Sequence, residues 1–295
     1  MRPQATPRAL AGCVAVWLAL ALPALGSLPA AAGPWTLNRG GYYATSVLGW
    51  QSSTAAYDAI GEKVDFGSNT KYLDRTISLR TEYGVSDRVT LELGLPVRFL
   101  KFDSGALPVD FSNSGFGDAR AGLRIGVLRG GPSVVSLQLD GQTQTGYDRK
   151  GFGIPPLGDG KSSVTVRALA GRTFAPRPAY VQGDLGYRFQ GGTLSDALVG
   201  NAEAGVWASP RFLVLGTWQW QEHRNNDQPF EDFFRYGGQA QYRYRPGIDL
   251  IAGLSHVGGG QNTFAGTAIL VGVALKGNTL GAYRGPTAAG SPDGK

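Results

Sequence analysis

The sequence predicts an all-β fold: a transmembrane, antiparallel, up-and-down β-barrel of about twelve strands, with an N-terminal signal peptide and a short flexible C-terminal tail. Three observations predict it. First, apolar and polar residues alternate, as a strand with two unlike faces requires. Phe212, Val214, Gly216, Trp218 and Trp220 stand against Thr217, Gln219 and Gln221; Phe234, Tyr236, Gly238, Ala240, Tyr242 and Tyr244 stand against Arg235, Gln239, Gln241 and Arg243. Second, aromatic rings cluster at both ends of such strands, and Trp and Tyr settle at the two membrane–water interfaces. From Phe212 to Trp220, at ~3.3 Å per residue and a tilt near ~40°, the strand climbs roughly 20 Å, the height of an outer-membrane apolar band. Third, short and long connections alternate along the chain.

Residues 1–32 read as a secretory leader. Arg2 and Arg8 form its positive end, Val14 to Leu25 its apolar stretch, and Ala30-Ala31-Ala32 a small-residue cleavage site. A lipoprotein leader is disfavoured because the apolar stretch follows Cys13 instead of preceding it. No later stretch reaches the ~18 apolar residues of a spanning helix. Removing the leader removes the only Cys and the only Met, so disulfide, thiol and thiolate-metal chemistry are excluded from what remains. With 28 basic and 22 acidic residues spread along the chain, no basic run marks a nucleic-acid partner. The 45 glycines fit a strand- and turn-rich chain.

Residues 33–275 form one barrel in this reading, with strand cores at 41–50, 74–84, 88–100, 116–127, 134–144, 163–173, 179–189, 198–208, 212–222, 232–244, 248–257 and 266–275. Short connections such as Gly84 to Asp87, Ser209-Pro210-Arg211 and Arg245-Pro246-Gly247 have tight-turn residues. The longer ones span 51–73, 101–115, 145–162, 190–197, 223–231 and 258–265. Short turns face the periplasm in such barrels, so both termini are periplasmic. The rings agree with this orientation: Phe99, Tyr187, Phe189, Trp218 and Trp220 fall at the outer girdle, and Tyr83, Tyr242 and Tyr244 at the inner one. Pro96 inside the third strand predicts a bulge or an early end there. Val89, Leu91 and Leu93 are expected to face lipid, so that an arginine at Leu91 is costly if that residue lies near the midplane, and Thr90 to face the interior, where an arginine costs much less. Residues 276–295, rich in Gly, Pro, Ser and Ala, read as the tail.

Opposite the lipid-facing set lie charges of both signs, the candidate lumen-lining residues: Arg80, Glu82, Glu92, Arg98, Asp118, Arg120, Arg124, Asp140, Arg167, Asp184, Arg188 and Glu203. Two readings stand side by side. Opposite charges in a narrow lumen pair and stiffen the wall; or some arginines line a permeation path with a weak preference for anions, gated by loops 51–73 and 145–162. Catalytic signals are thin. Neither His223 nor His256 has a serine two residues away, and Ser255, adjacent to His256, points to the opposite face. His223 is expected to be an exposed loop-edge residue. Gly158-Asp159-Gly160 and Asn225-Asn226-Asp227 read as turns, and Gly258-Gly259-Gly260 opens no helix and so forms no phosphate loop. No catalytic, cofactor or metal site is assigned.

The stretch Ser114-Gly115-Phe116-Gly117-Asp118-Ala119-Arg120-Ala121-Gly122-Leu123-Arg124, the following Gly-Pro turn and the strand Val134 to Gln144, together with Leu93-Gly94-Leu95-Pro96, resemble a family of outer-membrane proteins associated with the meta-cleavage pathway of phenol degradation. The likeness spans roughly residues 40–275. It implies an outer-membrane channel or transporter for small, hydrophobic or aromatic solutes in a Gram-negative cell. Its partners would be outer-membrane lipid, the outer-membrane insertion machinery and the small-molecule solute. A structural or assembly barrel with a plugged lumen is the alternative, and an outer-membrane lipid-modifying enzyme a more distant one. Two departures stand out: Gln144-Thr145-Gly146 lacks the family's proline, and the chain ends in Asp293-Gly294-Lys295 without a terminal aromatic, which places the insertion signal around Ile269 to Leu275 or displaces the last strand.

Overall fold

A computed structural model describes residues 33–67, 69–105, 110–147, 154–192, 194–225 and 230–278. The leader 1–32 and the tail from 279 onward lie outside the described residues. The strands are β1 Tyr42–Tyr57, β2 Lys63–Asp65, β3 Lys71–Ser86, β4 Val89–Asp103, β5 Asp110–Phe116, β6 Ala119–Leu128, β7 Ser133–Thr143, β8 Ser163–Thr173, β9 Ala179–Gln190, β10 Ala197–Ser209, β11 Phe212–His223, β12 Asp232–Arg245, β13 Ile248–Gln261 and β14 Thr263–Gly277. Every pairing is antiparallel; β2 and β5 are short additions to β1 and β4, and with these set aside each strand pairs with the next in chain order. β14 pairs with β1, from Tyr42↔Gly277 to Tyr57↔Thr263, and this seam closes twelve strands into a barrel. The last strand therefore stands where the sequence puts it, and Lys276 and Gly277 still belong to it.

The burial pattern is that of a membrane barrel. Leu93, Leu254 and Ile269 on the outside are 61%, 55% and 54% exposed, while Glu82, Thr90 and Arg124 on the inside are 0%, 0% and 1% exposed. Water on both faces would make this arrangement costly; lipid outside reverses the preference. Trp50, Phe99, Phe189 and Trp218 project outward from the outer halves of their strands, and Tyr42, Tyr83, Tyr242 and Tyr244 from the inner halves. Leu91 pairs with Tyr83, which pairs with Tyr42, so Leu91 sits at the inner girdle and not at the midplane. Leu254, opposite Gly238 and through it Gly216, lies midway between the girdle rings of β11.

Three predicted features differ. Pro96 neither bulges nor ends β4: it pairs with Ser78 of β3 within an unbroken register. Its carbonyl accepts from Gly117 N at 2.8 Å, so the nitrogen that lacks a proton faces the same side, where β4 exchanges β6 for β5 as its neighbour. The predicted loop 101–115 contains β5, and Gly117-Asp118 separates β5 from β6 within the predicted fourth strand. The predicted loop 258–265 shrinks to a tight turn at Asn262, whose φ of 53° is the left-handed conformation that asparagine tolerates.

Candidate functional site: the barrel lumen

The segment before β1 is part of the lumen. Pro34, Trp35, Thr36 and Leu37 are buried among strand residues next to the short-turn ends. Leu37 N donates to Thr90 Oγ1 at 2.9 Å, Thr36 Oγ1 to Asp87 O at 2.9 Å, and Ser136 Oγ to Pro34 O. The Trp35 indole meets Tyr180 edge-on at 5.9 Å. Gly171 makes room for this segment: a Cβ there would lie 2.6 Å from Pro34 and 2.8 Å from the Trp35 ring. Thr90 therefore faces inward as expected, but the space in front of it is filled.

Above this segment the inward charges form two networks. Arg124 Nη1 bonds Glu82 at 3.2 Å and the Trp35 carbonyl at 3.2 Å, its Nη2 bonds Glu92 at 3.0 Å, and its Nε bonds Gln138 at 2.9 Å. Arg80 bridges the same two carboxylates, 3.2 Å from Glu82 and 2.7 Å from Glu92. In the second network Arg167 lies 3.2 Å from Asp140 and 2.6 Å from Asp184, and Asn201 also bonds Asp184. Arg98 pairs with Asp74. Glu203 accepts from Tyr180 at 2.6 Å and Gln182 at 2.8 Å. Arg120 and Arg188 bond amides, Gln142 at 3.2 Å and Gln221 at 2.8 Å respectively.

The outer end is covered by residues 154–161. Leu157 is buried and packs with Tyr72, Leu100, Phe102 and Phe264, and its carbonyl accepts from Arg98 at 3.4 Å. The Pro155 carbonyl accepts from Asn113 at 2.9 Å. Asp118, at the β5–β6 break, ties this segment down: it accepts from the Asp159 amide at 2.8 Å, Gln142 at 3.1 Å and the Tyr147 hydroxyl at 2.5 Å. Burial and the neighbouring Asp118 charge push the Asp159 carboxyl above the usual range. Burial likewise raises the Tyr147 hydroxyl, with its bond to Asp118 acting in the same direction. At the rim Glu231, buried beside Thr263, is pushed up to about 8, chiefly by desolvation.

Between the two closures lies a cavity of about 180 Å³, touched by Arg80, Glu92, Arg98, Asp118, Arg120, Arg167 and Arg188 of the predicted set. Glu82, Arg124, Asp140, Asp184 and Glu203 lie behind or below it in the networks. Sequence reasoning missed Asp74, Asp159, Glu231 and the segment 34–37. The signal for that segment was available: Pro34-Trp35-Thr36-Leu37 is apolar yet precedes any alternation. His223 is not an exposed loop residue: its Nδ1 is 2.7 Å from Asp232 and its ring stacks on Phe230 at 3.6 Å. His256 bonds Thr267 on the outward face. Among the described residues no group of three or more His, Cys, Asp and Glu is placed to hold a metal.

No protein-family model matches the chain, and no curated protein matches it. Solved structures do. The crystal structure of an outer membrane channel from Pseudomonas putida F1 is 15% identical, covering 85% of this chain and 100% of that one, with a TM-score of 0.68. The translocator domain of the autotransporter NalP from Neisseria meningitidis is 14% identical over 91% of this chain and 95% of that one, at a TM-score of 0.48. The Ralstonia pickettii toluene transporter TbuX is 11% identical over 87% and 96%, at 0.46. The first likeness shows a shared outer-membrane barrel fold; the other two are too distant to carry an argument.

Proposed function

We propose that the protein is a channel of the bacterial outer membrane that passes small molecules, with a hydrophobic or aromatic solute as the substrate class suggested by the resemblance to proteins of phenol degradation. The observation that carries the reading is the partly apolar, arginine-lined cavity, which lies between two chain segments that are not part of the wall. A wall cannot move without breaking its ladder, but a segment held by a few side-chain bonds can. The plugged structural barrel is the second reading, favoured by the closure of both ends and by the paired charges around Arg124. Reconstituted in liposomes, the intact protein should admit small solutes slowly, and deletion of residues 33–38 should raise the rate about tenfold or more. This follows because the wall is closed by its own ladder from β1 to β14, and the segment is not part of that ladder. An unchanged rate in a variant that still migrates as a folded barrel would favour the structural reading.

A further inference from the structure

Two of the arginines that border the cavity are held by no ion pair. Arg80, Arg98, Arg124 and Arg167 each reach a carboxylate. Among the described residues no carboxylate stands within ion-pair distance of Arg120 or Arg188, and the buried Nε of Arg188 has no hydrogen-bond partner. Both border the same cavity, and each lies within the electrostatic reach of the other. Asp159 of the outer closure acts on Arg188 through space and bonds Gln142, and its amide bonds Asp118. A protein does not hold two like charges in one desolvated space for stability, because each raises the cost of the other. The cost is recovered when an anion binds, and a guanidinium fork suits a planar carboxylate. Phe233 on β12 also borders the cavity, paired with Gln221, to which Arg188 is bonded.

Resting on the channel reading and narrowing it, we infer that the lumen contains a binding site for a small amphipathic carboxylate, its carboxylate held by Arg120 and Arg188 and its apolar body against Phe233. The site lies in the outer half of the barrel, where a solute arriving past residues 154–161 meets it before the networks of Arg124 and Arg167. An aromatic acid fits this chemistry better than its neutral alcohol.

The test is calorimetric titration of the purified full barrel in a neutral detergent with benzoate, benzyl alcohol and inorganic phosphate. Benzoate should bind about tenfold or more tighter than benzyl alcohol, as one charge-assisted pair implies, and phosphate should bind more weakly than benzoate for want of the apolar contact. Arg120→Gln and Arg188→Gln should each bring the ratio of benzoate to benzyl alcohol affinity down toward one. Equal affinity of the unaltered protein for benzoate and benzyl alcohol would overturn the inference, and this comparison needs no variant to fold. So would a benzoate advantage that survives both substitutions. Liposome permeability separates the two proposals: carboxylate-selective binding without permeation supports the site and removes the channel, whereas permeation of benzyl alcohol without carboxylate preference does the reverse.

Discussion

Arg124 gathers four groups from three strands and the N-terminal segment around one guanidinium: Gln138, Glu82, Glu92 and the Trp35 carbonyl. Its removal leaves two buried carboxylates that also bind Arg80 but no longer share a second cation. Arg124→Leu should therefore cost about 3–5 kcal/mol, the penalty for breaking a buried pair. Arg124→Lys should recover only part of it, because an ammonium cannot fork to two acids and a carbonyl at once. Urea unfolding in lipid vesicles measures both; a loss below ~1 kcal/mol for the leucine variant would reduce the network to surface-like pairing. Glu231 supplies a pH dependence. Its carboxyl is held near 8 in the folded state, so between the ordinary glutamate range and about 8 the folded protein binds more protons than the unfolded one. Stability should fall as pH rises through that window, and Glu231→Gln should flatten the slope of unfolding free energy against pH. A slope unchanged by the substitution would mean that Glu231 ionises normally.

At the scale of the strand, alternation carries almost all the information. Gly238 and Gly216 beside Leu254, and the rings of Tyr42 and Tyr83 beside Leu91, fix depth as well as face. Leu254→Arg should cost ~2–4 kcal/mol and Leu91→Arg only ~0–1 kcal/mol, because the penalty for a charge on the lipid face falls from midplane to interface. Equal costs in vesicle unfolding would displace the girdles from where the rings put them. All twelve wall strands were legible, because period 2 and short Gly/Pro turns are local signals. Their outer ends were not. β1 runs on to Tyr57, and β2 and β5 form where edges extend beyond the membrane, since pairing there depends on which strand is adjacent rather than on the face a residue shows. Pro96 misled for the same reason: its missing donor matters only on one side, and which side depends on the partner. The inward direction of Arg124 or Arg167 could be read from the sequence, but not which carboxylate each would meet, because those partners lie on other strands.

As a whole molecule, the barrel is a wall of ladder hydrogen bonds around a polar interior, stoppered below by Pro34 to Leu37 and above by Pro155 to Asp159. Neither stopper shows the period-2 pattern of the wall, so neither was foreseen as interior. The lower one is joined to β1 by residues 38–41, and β1 is one side of the closing seam. Its partners, however, sit 89 and 102 residues away, on β6 and β7. A peptide tethered to one lip of the seam and docked on the opposite wall spans the mouth of the cylinder as a latch does, fixed at one end by β1 and at the other by bonds that can open. Latch and ladder are thereby separable: residues 34–37 can leave β6 and β7 through that mouth while β14 stays paired with β1.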